Sequence, residues 1–217
     1  MKISILPFII CLLIFFSCQL RNKNSSTLSK NQSYLKSKKE FDPRFTSHFP
    51  KLITNEDYSL NYYSNLLENQ VGLVLYLYNV SPGEIDSIKS KIMKQSYLGC
   101  YKSTDSCLLM VNRFETTETR ENFEIPIIKD STLVERDCYQ KLYPIPNFIE
   151  YSEPDKTLNF ERDRFLIYVL EALSGNRFKK FNLLPSPQMP ARWKNGYSKG
   201  IAFSETKKTI IYWGIIW

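Results

Sequence analysis

An α+β domain built on a mostly antiparallel sheet is the fold class that the sequence predicts for residues 41–217 of this 217-residue chain. Three observations predict it: an apolar, β-branched run at Val71–Val80, helical patterns over about 82–97 and 159–174, and strand patterns at the C-terminus. Strands that come before and after separated helices are typical of this class. With neither an internal repeat nor a second linker, the segment is of a normal size for a single domain.

The first predicted strand and the first predicted helix follow each other directly. The run VGLVLYLYNV, Val71–Val80, has few polar residues, which is typical of a central strand covered on both faces. In the following SPGEIDSIKSKIMK, Ser81 suits the N-cap, a proline takes the first helical position, and Glu84 completes a capping box. The sequence therefore predicts a helix over about residues 82–97.

The cysteines that follow predict a disulfide. Cys100 and Cys107 flank a short polar stretch in CYKSTDSCLLMVNRF, and residues 107–114 predict a strand. A two-residue turn would place the two cysteines opposite each other in a hairpin, with β-carbons about 4.5–5.5 Å apart, which is close to what a disulfide needs. The sequence favours a Cys100–Cys107 bond, but Cys138 could pair with either of them. Because the domain holds three cysteines, one is free or pairs between molecules.

The second helix is predicted over residues 159–174, NFERDRFLIYVLEALS. Asn159 suits an N-cap, acidic residues fill the first turn, and a glycine follows the last turn. Apolar residues recur at helical spacing and predict a broad core face. The chain then ends in a predicted hairpin with strands at Gly200–Phe203 and Thr209–Trp217.

The N-terminus predicts export. Residues 3–16 are apolar apart from one serine, but these 14 residues are too few for a membrane-spanning helix, which needs roughly 20. The stretch FFSC at residues 15–18 resembles the lipobox of bacterial lipoproteins. The resemblance implies that residues 1–17 are a lipoprotein signal peptide and that Cys18 becomes the acylated N-terminal residue. An ordinary secreted protein or a retained membrane helix fits this segment less well.

The residues after Cys18 predict a tether. The resemblance implies the outer membrane of a Gram-negative bacterium, since Gln19 is not the aspartate that favours inner-membrane retention. Residues 19–39 carry six basic residues, no acid and many Ser and Asn, so residues 18–40 are predicted to be the lipidated cysteine and a flexible basic tether. The domain itself has 22 basic and 21 acidic residues, so the chain's net charge of +7 does not predict a nucleic-acid partner.

Candidate catalytic motifs fail on their context. GYSKG at residues 196–200 matches the nucleophile elbow of serine hydrolases, but that motif needs a strand before the serine and a helix after it. The only histidine, His48, excludes a multi-histidine metal site, and nothing in the sequence places it beside Cys138 as a Cys–His pair. The paired carboxylates fit solvated loops and a helix N-terminus. We predict no catalytic residue, no metal and no cofactor.

The C-terminal quarter holds the strongest candidate for a binding surface. Residues 177–217 carry eight basic residues, one acid and all three tryptophans of the chain. Large aromatic residues beside basic ones are the types that anchor interfaces, and the long loop LLPSPQMPARWKNGYSKG is typical of functional loops. The predicted surface residues are Arg192, Trp193, Lys194 and Tyr197. The alternative is that the aromatic residues pack in the sheet and its edge.

Together these features predict a lipid-anchored envelope protein whose domain binds another macromolecule and catalyses no reaction. The predicted partner is an envelope protein or a glycan, with the protein somewhat favoured, and the lipid anchor provides the contact with the membrane. Two alternatives stay open: a small hydrolase acting on an envelope polymer, and a structural lipoprotein of an envelope assembly. A deep pocket around His48, Cys138 or a carboxylate pair favours the hydrolase, whereas a shallow face with Trp193 and Tyr197 favours binding.

Overall fold

The computed structural model describes residues 31–63, 69–148 and 163–217. The strands, in chain order, are β1 (Tyr58–Tyr63), β2 (Val71–Leu77), β3 (Gly99–Lys102), β4 (Met110–Val111), β5 (Ile145–Pro146), β6 (Leu166–Ser174), β7 (Gly196–Ser204) and β8 (Thr209–Ile216). The α-helices are α1 (31–39), α2 (Pro82–Met93) and α3 (Thr117–Glu121). Short 3₁₀-helices lie at Ser131–Leu133, Asp137–Tyr139, Lys179–Phe181 and Ala191–Trp193.

One six-stranded sheet runs through the centre of the fold in the order β1-β2-β8-β7-β6-β3, and every neighbouring pair in it is antiparallel. β4 and β5 form a separate parallel pair. The predicted α+β class with a mostly antiparallel sheet is therefore confirmed. The predicted C-terminal hairpin is present as β7 and β8, and both strands are buried along their whole length because they lie inside the sheet.

Helix α2 follows β2 as predicted, and the capping box forms its N-terminus. The Ser81 side chain accepts a hydrogen bond from the Glu84 backbone N–H, and the Glu84 carboxylate accepts one from the Ser81 N–H at 2.8 Å. The helix ends at Met93, before the predicted end near residue 97. The Leu98 N–H already donates to the carbonyl of Val169 at 2.8 Å, so the chain has by then turned toward β3.

The helix predicted over residues 159–174 is wrong in its described part, which forms strand β6; residues 159–162 lie outside the described residues. The same apolar run supplies both faces of a strand, since Ile167 packs on one side of the sheet and Tyr168 on the other. Antiparallel pairing with β7 extends from Leu166 to Ser174. This long-range pairing outweighs a helical pattern that is only local.

The flexible tether predicted for residues 18–40 is wrong over residues 31–40, where the chain forms α1 and packs on the domain. The Tyr34 ring is fully buried, and its hydroxyl donates to the Pro50 carbonyl at 2.6 Å. The Asn31 side chain donates to the Ile53 carbonyl at 3.2 Å and accepts from the Ile53 N–H at 2.8 Å. One buried aromatic ring and these bonds order a segment whose composition is otherwise polar.

Residues 1–30, which include Cys18 and the lipobox-like stretch, lie outside the described residues. Among the residues that are described, no helix has the length and apolar character that crossing a membrane requires.

The sheet separates two hydrophobic cores. Neighbouring residues of a strand point to opposite faces, so in β8 Trp213 packs into one core and Tyr212 into the other. Core A is centred on Val74, Tyr139, Ile145, Val169, Trp193 and Trp213. Core B is centred on Tyr34, Phe45, Leu75, Ile85, Tyr197 and Tyr212.

The disulfide joins Cys107 to Cys138, so the favoured Cys100–Cys107 pairing is wrong. Cys100 is free and exposed, and it lies in β3, which pairs with β6 instead of forming a hairpin with the segment after Cys107. The sequence predicts a strand over residues 107–114, but within that range only the two residues of β4 form a strand. Cys138 was the alternative partner, and the bond fastens the 3₁₀-helix Asp137–Tyr139 to the chain near β4.

Candidate functional site

The four predicted surface residues do not form one exposed face in the structure. Trp193 is 2% exposed and packs in core A, whereas Tyr197 is 7% exposed and packs in core B. Because the sheet separates the two cores, one face cannot carry both rings. Arg192 stays exposed and Lys194 is half-buried on the loop beside Trp193.

Arg192 and Trp193 instead line a cleft of about 350 Å³ on the core A side of the sheet. We name it the arginine cleft. Its other lining residues are Glu135, Arg136, Tyr139, Gln140 and Pro190.

Hydrogen bonds and the disulfide fix the two walls of the arginine cleft. The Ala191 N–H donates to Glu135 Oε1 at 2.6 Å, and Arg192 Nη1 donates to the Gln140 carbonyl at 3.1 Å. Cys138 lies in the same wall as Glu135 and Gln140, and its disulfide holds that wall to the rest of the fold. The cleft is thus formed by the fold itself, as ligand sites usually are.

Two guanidinium groups lie over aromatic rings of the cleft. The guanidinium carbon of Arg136 lies 5.3 Å from the centre of the Tyr139 ring, and that of Arg192 lies 5.5 Å from the Trp193 ring. A guanidinium group has five N–H donors, so Arg192 keeps donors besides the one bonded to Gln140, and Arg136 keeps donors besides the one bonded to Tyr139. The two rings are themselves buried and covered, so the arginines form the polar surface of the cleft.

A third guanidinium group stands behind Tyr139. Arg113 Nη1 donates to the Tyr139 hydroxyl oxygen at 2.6 Å, and Arg136 Nη1 donates to the same oxygen at 3.5 Å. Within the described part of the chain, no carboxylate lies within 4.0 Å of Arg113, Arg136 or Arg192. With Arg136, Arg192 and the single carboxylate of Glu135, the lining of the cleft has a net positive charge, which suits it to an anion.

A second cavity, of about 200 Å³, lies on the core B side, and we name it the Lys199 pocket. Its lining residues are Asp42, Arg44, Phe45, Glu171, Phe178, Tyr197 and Lys199. Glu171 of β6 is directly opposite Lys199 of β7, next to a β-bulge that follows Val169. Bulges change the direction of side chains, and this one leaves the Glu171 carboxylate within reach of Lys199.

Every charged group at the centre of the Lys199 pocket has a partner. Lys199 Nζ lies 2.8 Å from Glu171 Oε2 and donates to the Arg44 carbonyl at 2.8 Å, while the Tyr197 hydroxyl donates to Glu171 Oε1. Burial alone would raise the pKa of Glu171, but the hydrogen bonds from Lys199 and Tyr197 outweigh it and lower that pKa. Burial and the Glu171 carboxylate both raise the pKa of Tyr197. The pocket thus holds a closed ion pair.

The residues weighed as nucleophile or base have structural contacts. Ser198 lies within strand β7, fully buried, and accepts a hydrogen bond from Trp213 Nε1 at 3.4 Å, which is not the geometry of a nucleophile elbow. His48 is buried with Nε2 2.7 Å from the Trp213 carbonyl, and burial lowers its pKa to about 3. Cys138 is in the disulfide. Among the described residues, no group of three or more His, Cys, Asp or Glu side chains could hold a metal ion.

The sequence does not predict Arg113, Arg136 and Tyr139 as site residues. Residues 131–142 meet the loop of Arg192 through core packing and through hydrogen bonds that span more than fifty positions. The available signal was Cys138 itself, since a disulfide at that position places its neighbours Arg136 and Tyr139 against the fold.

The search of protein-family models finds no match for this chain, and the comparisons with curated proteins and with solved structures find none either. Function is therefore inferred from the chemistry of the described residues.

Proposed function

We propose that this chain is a lipid-anchored envelope protein whose domain binds an anionic group of a partner protein or glycan in the arginine cleft and catalyses no reaction on it. The observation that carries the binding proposal is that Arg136 and Arg192 lie over aromatic rings in one preformed cleft, and that no carboxylate of the described residues lies within 4.0 Å of either guanidinium group.

Two other partly buried cations of the described residues, Arg120 and Lys199, have carboxylate partners, unlike the arginines that line the cleft. Arg120 contacts Glu115 at 2.6 Å and Lys199 contacts Glu171 at 2.8 Å. Arginine offers five N–H donors in a fixed plane and matches carboxylate and phosphate groups in two-point contacts. A volume of about 350 Å³ is at the low end of ligand sites, so the cleft suits one charged group of a larger partner.

The membrane part of the proposal rests on the lipobox-like stretch that ends at Cys18. The first described residue, Asn31, follows Cys18 closely: the 12 residues between them span at most about 40 Å of extended chain. A lipid on Cys18 would therefore keep the domain near the membrane surface, where the partner is expected. The helix α1 shortens the tether relative to the one that the sequence predicts.

The lipid anchor is tested with Cys18→Ala in the producing bacterium, with metabolic labelling by a fatty-acid analogue and membrane fractionation. We expect the variant to lose both the label and its membrane association. Unchanged labelling and fractionation of Cys18→Ala would contradict the anchor.

The binding proposal is tested by in-cell crosslinking and pull-down of the tagged full-length protein. The variant is Arg136→Gln/Arg192→Gln, and the matched control is Arg164→Gln/Arg177→Gln, which removes the same charge from exposed arginines outside the cleft. We expect a stoichiometric partner with the wild type and the control but not with the cleft variant. Capture of the same partner by the cleft variant would contradict the proposal.

A further inference from the structure

We propose that the group recognised in the arginine cleft is a phosphomonoester, as on a phosphorylated sugar or a lipid head group. This inference rests on the proposed function and adds the chemical class of the ligand. It depends on the charge of the cleft, on its hydrogen-bond donors, and on what covers its aromatic rings.

The charge of the cleft matches a dianion. Arg136 and Arg192 line it, Arg113 stands behind the Tyr139 hydroxyl, and the carboxylate of Glu135 already accepts the Ala191 N–H. The three guanidinium groups and the Glu135 carboxylate sum to a net charge of +2, which the roughly −1.5 to −2 charges of a phosphomonoester at pH 7 neutralise. A carboxylate carries a single charge and leaves one guanidinium group uncompensated.

The hydrogen-bonding groups around the Tyr139 hydroxyl are donors. Its oxygen accepts from Arg113 at 2.6 Å and from Arg136 at 3.5 Å, which engages both lone pairs. The O–H of Tyr139 then has no acceptor among the residues that the structure describes. Tyr139, Arg136 and Arg192 all line the cleft and all carry hydrogen-bond donors, and the three terminal oxygens of a phosphate offer acceptors to such a set.

The aromatic rings of the cleft cannot serve as stacking surfaces for a neutral sugar. Arg136 covers the Tyr139 ring and Arg192 covers the Trp193 ring, and both rings are buried in core A. A glycan would therefore be recognised through a charged substituent and not through its ring faces. The buried Nε1 of Trp193 likewise has no acceptor in the described part of the chain, so donors outnumber acceptors here too.

The test uses the full-length protein in detergent micelles and isothermal titration calorimetry. The probes are glucose 1-phosphate, glucuronic acid as the matched carboxylate, glucose, and an acidic peptide. A parallel arm uses flotation with phosphatidylcholine vesicles with and without phosphatidic acid, so that a soluble sugar phosphate and a lipid head group are told apart. Arg136→Gln and Arg192→Gln are the cleft variants, Arg164→Gln is the control, and melting temperatures show that each variant is folded.

We expect glucose 1-phosphate or phosphatidic acid to bind at least about tenfold more tightly than the carboxylate probes. Each cleft variant should lose about tenfold in affinity, while Arg164→Gln keeps it. Binding should strengthen from pH 5 to 7.5, because the second phosphate pKa is about 6; a carboxylate ligand does not show this gain.

Equal or tighter binding of glucuronic acid or of the acidic peptide would overturn the phosphomonoester but leave the proposed anion-binding function standing. The same holds if phosphate binds equally well to the cleft variants while the in-cell partner is still lost in them. Absence of binding by every probe, together with an unchanged partner in the cleft variants, would overturn both.

Discussion

The arginine cleft and the Lys199 pocket lie on opposite sides of one sheet and differ in how their charges are compensated. In the Lys199 pocket, the ammonium group of Lys199 meets the Glu171 carboxylate across neighbouring strands and leaves no charge over. In the arginine cleft, the guanidinium groups of Arg136 and Arg192 are held in place by rings and a carbonyl. A charged cavity indicates a ligand only where the fold itself leaves the charge unpaired.

The difference follows from burial. The Lys199 side chain is only 11% exposed, and a charge in such a position needs a counter-charge and hydrogen bonds to offset its desolvation. Arg192 is exposed, so water solvates its charge when the cleft is empty. Leaving the guanidinium group without a counter-ion therefore costs little stability and keeps its N–H donors available for a ligand.

The largest expected effect is the loss of the disulfide, which holds a wall of the arginine cleft and nothing in the Lys199 pocket. The bond spans 31 positions, and the chain-entropy model gives about 3.5 kcal/mol for a loop of that length. We expect Cys107→Ser/Cys138→Ser to lower the unfolding free energy by about that amount in urea denaturation, and to weaken ligand binding at temperatures where it is folded. The control is Cys100→Ser, which should leave both unchanged; an equal loss there would show that the pairing is different.

Next in size is the removal of the counter-ion in the Lys199 pocket. Among the described residues, Glu171→Ala leaves the Lys199 ammonium group with the Arg44 carbonyl alone, and it takes an acceptor from Tyr197. Breaking a fully buried pair costs about 3–5 kcal/mol, but the Glu171 side chain is 44% exposed, so we expect a loss of about 1–2 kcal/mol. Chemical denaturation measures it, with Glu205→Ala as the control at an exposed ion pair. A loss below that of the control would mean that the pocket does not need its ion pair.

The third prediction concerns pH and the core B side, where His48 is buried. Its folded pKa is about 3, whereas in the unfolded chain it is near 6.5, so only the unfolded state binds this proton between those values. Stability is therefore complete above about pH 6.5 and falls toward acid by at most about 1.4 kcal/mol per pH unit. His48→Gln keeps a donor for the Trp213 carbonyl but does not titrate. Urea denaturation from pH 7.5 to 4.5 should show a shallower slope for this variant, and equal slopes would contradict the assignment.

The smallest effect on stability is expected from the cleft arginines, although their effect on binding is the largest. Arg136→Gln and Arg192→Gln remove no ion pair of the described residues, so each should change the unfolding free energy by no more than about 0.5 kcal/mol. Thermal denaturation beside the binding measurement checks this. A stability loss as large as that of Glu171→Ala would show that the cleft, like the Lys199 pocket, is structural.

Local sequence determined the elements whose stabilising contacts are close in the chain. The capping box joins Ser81 and Glu84, which are three positions apart. Helix α2 begins at Pro82, where this capping box predicts its first residue. The β7–β8 hairpin turns within a few residues, and its strands are rich in β-branched and aromatic residues. These features were enough for the α+β class and for a mostly antiparallel sheet.

Tertiary structure alone decided the elements whose contacts come from far along the chain. The apolar run at 166–174 fits a helix or a strand, and pairing with β7 made it a strand. Cys138, and not the nearer Cys100, is brought to Cys107 by the packing of β4 and β5.

Trp193 and Tyr197 are four positions apart yet enter opposite cores, while Arg136 and Arg192 meet in one cleft. Composition predicted a basic, aromatic binding region near residue 192; which of its charges stay unpaired depends on neighbours that only the folded chain supplies.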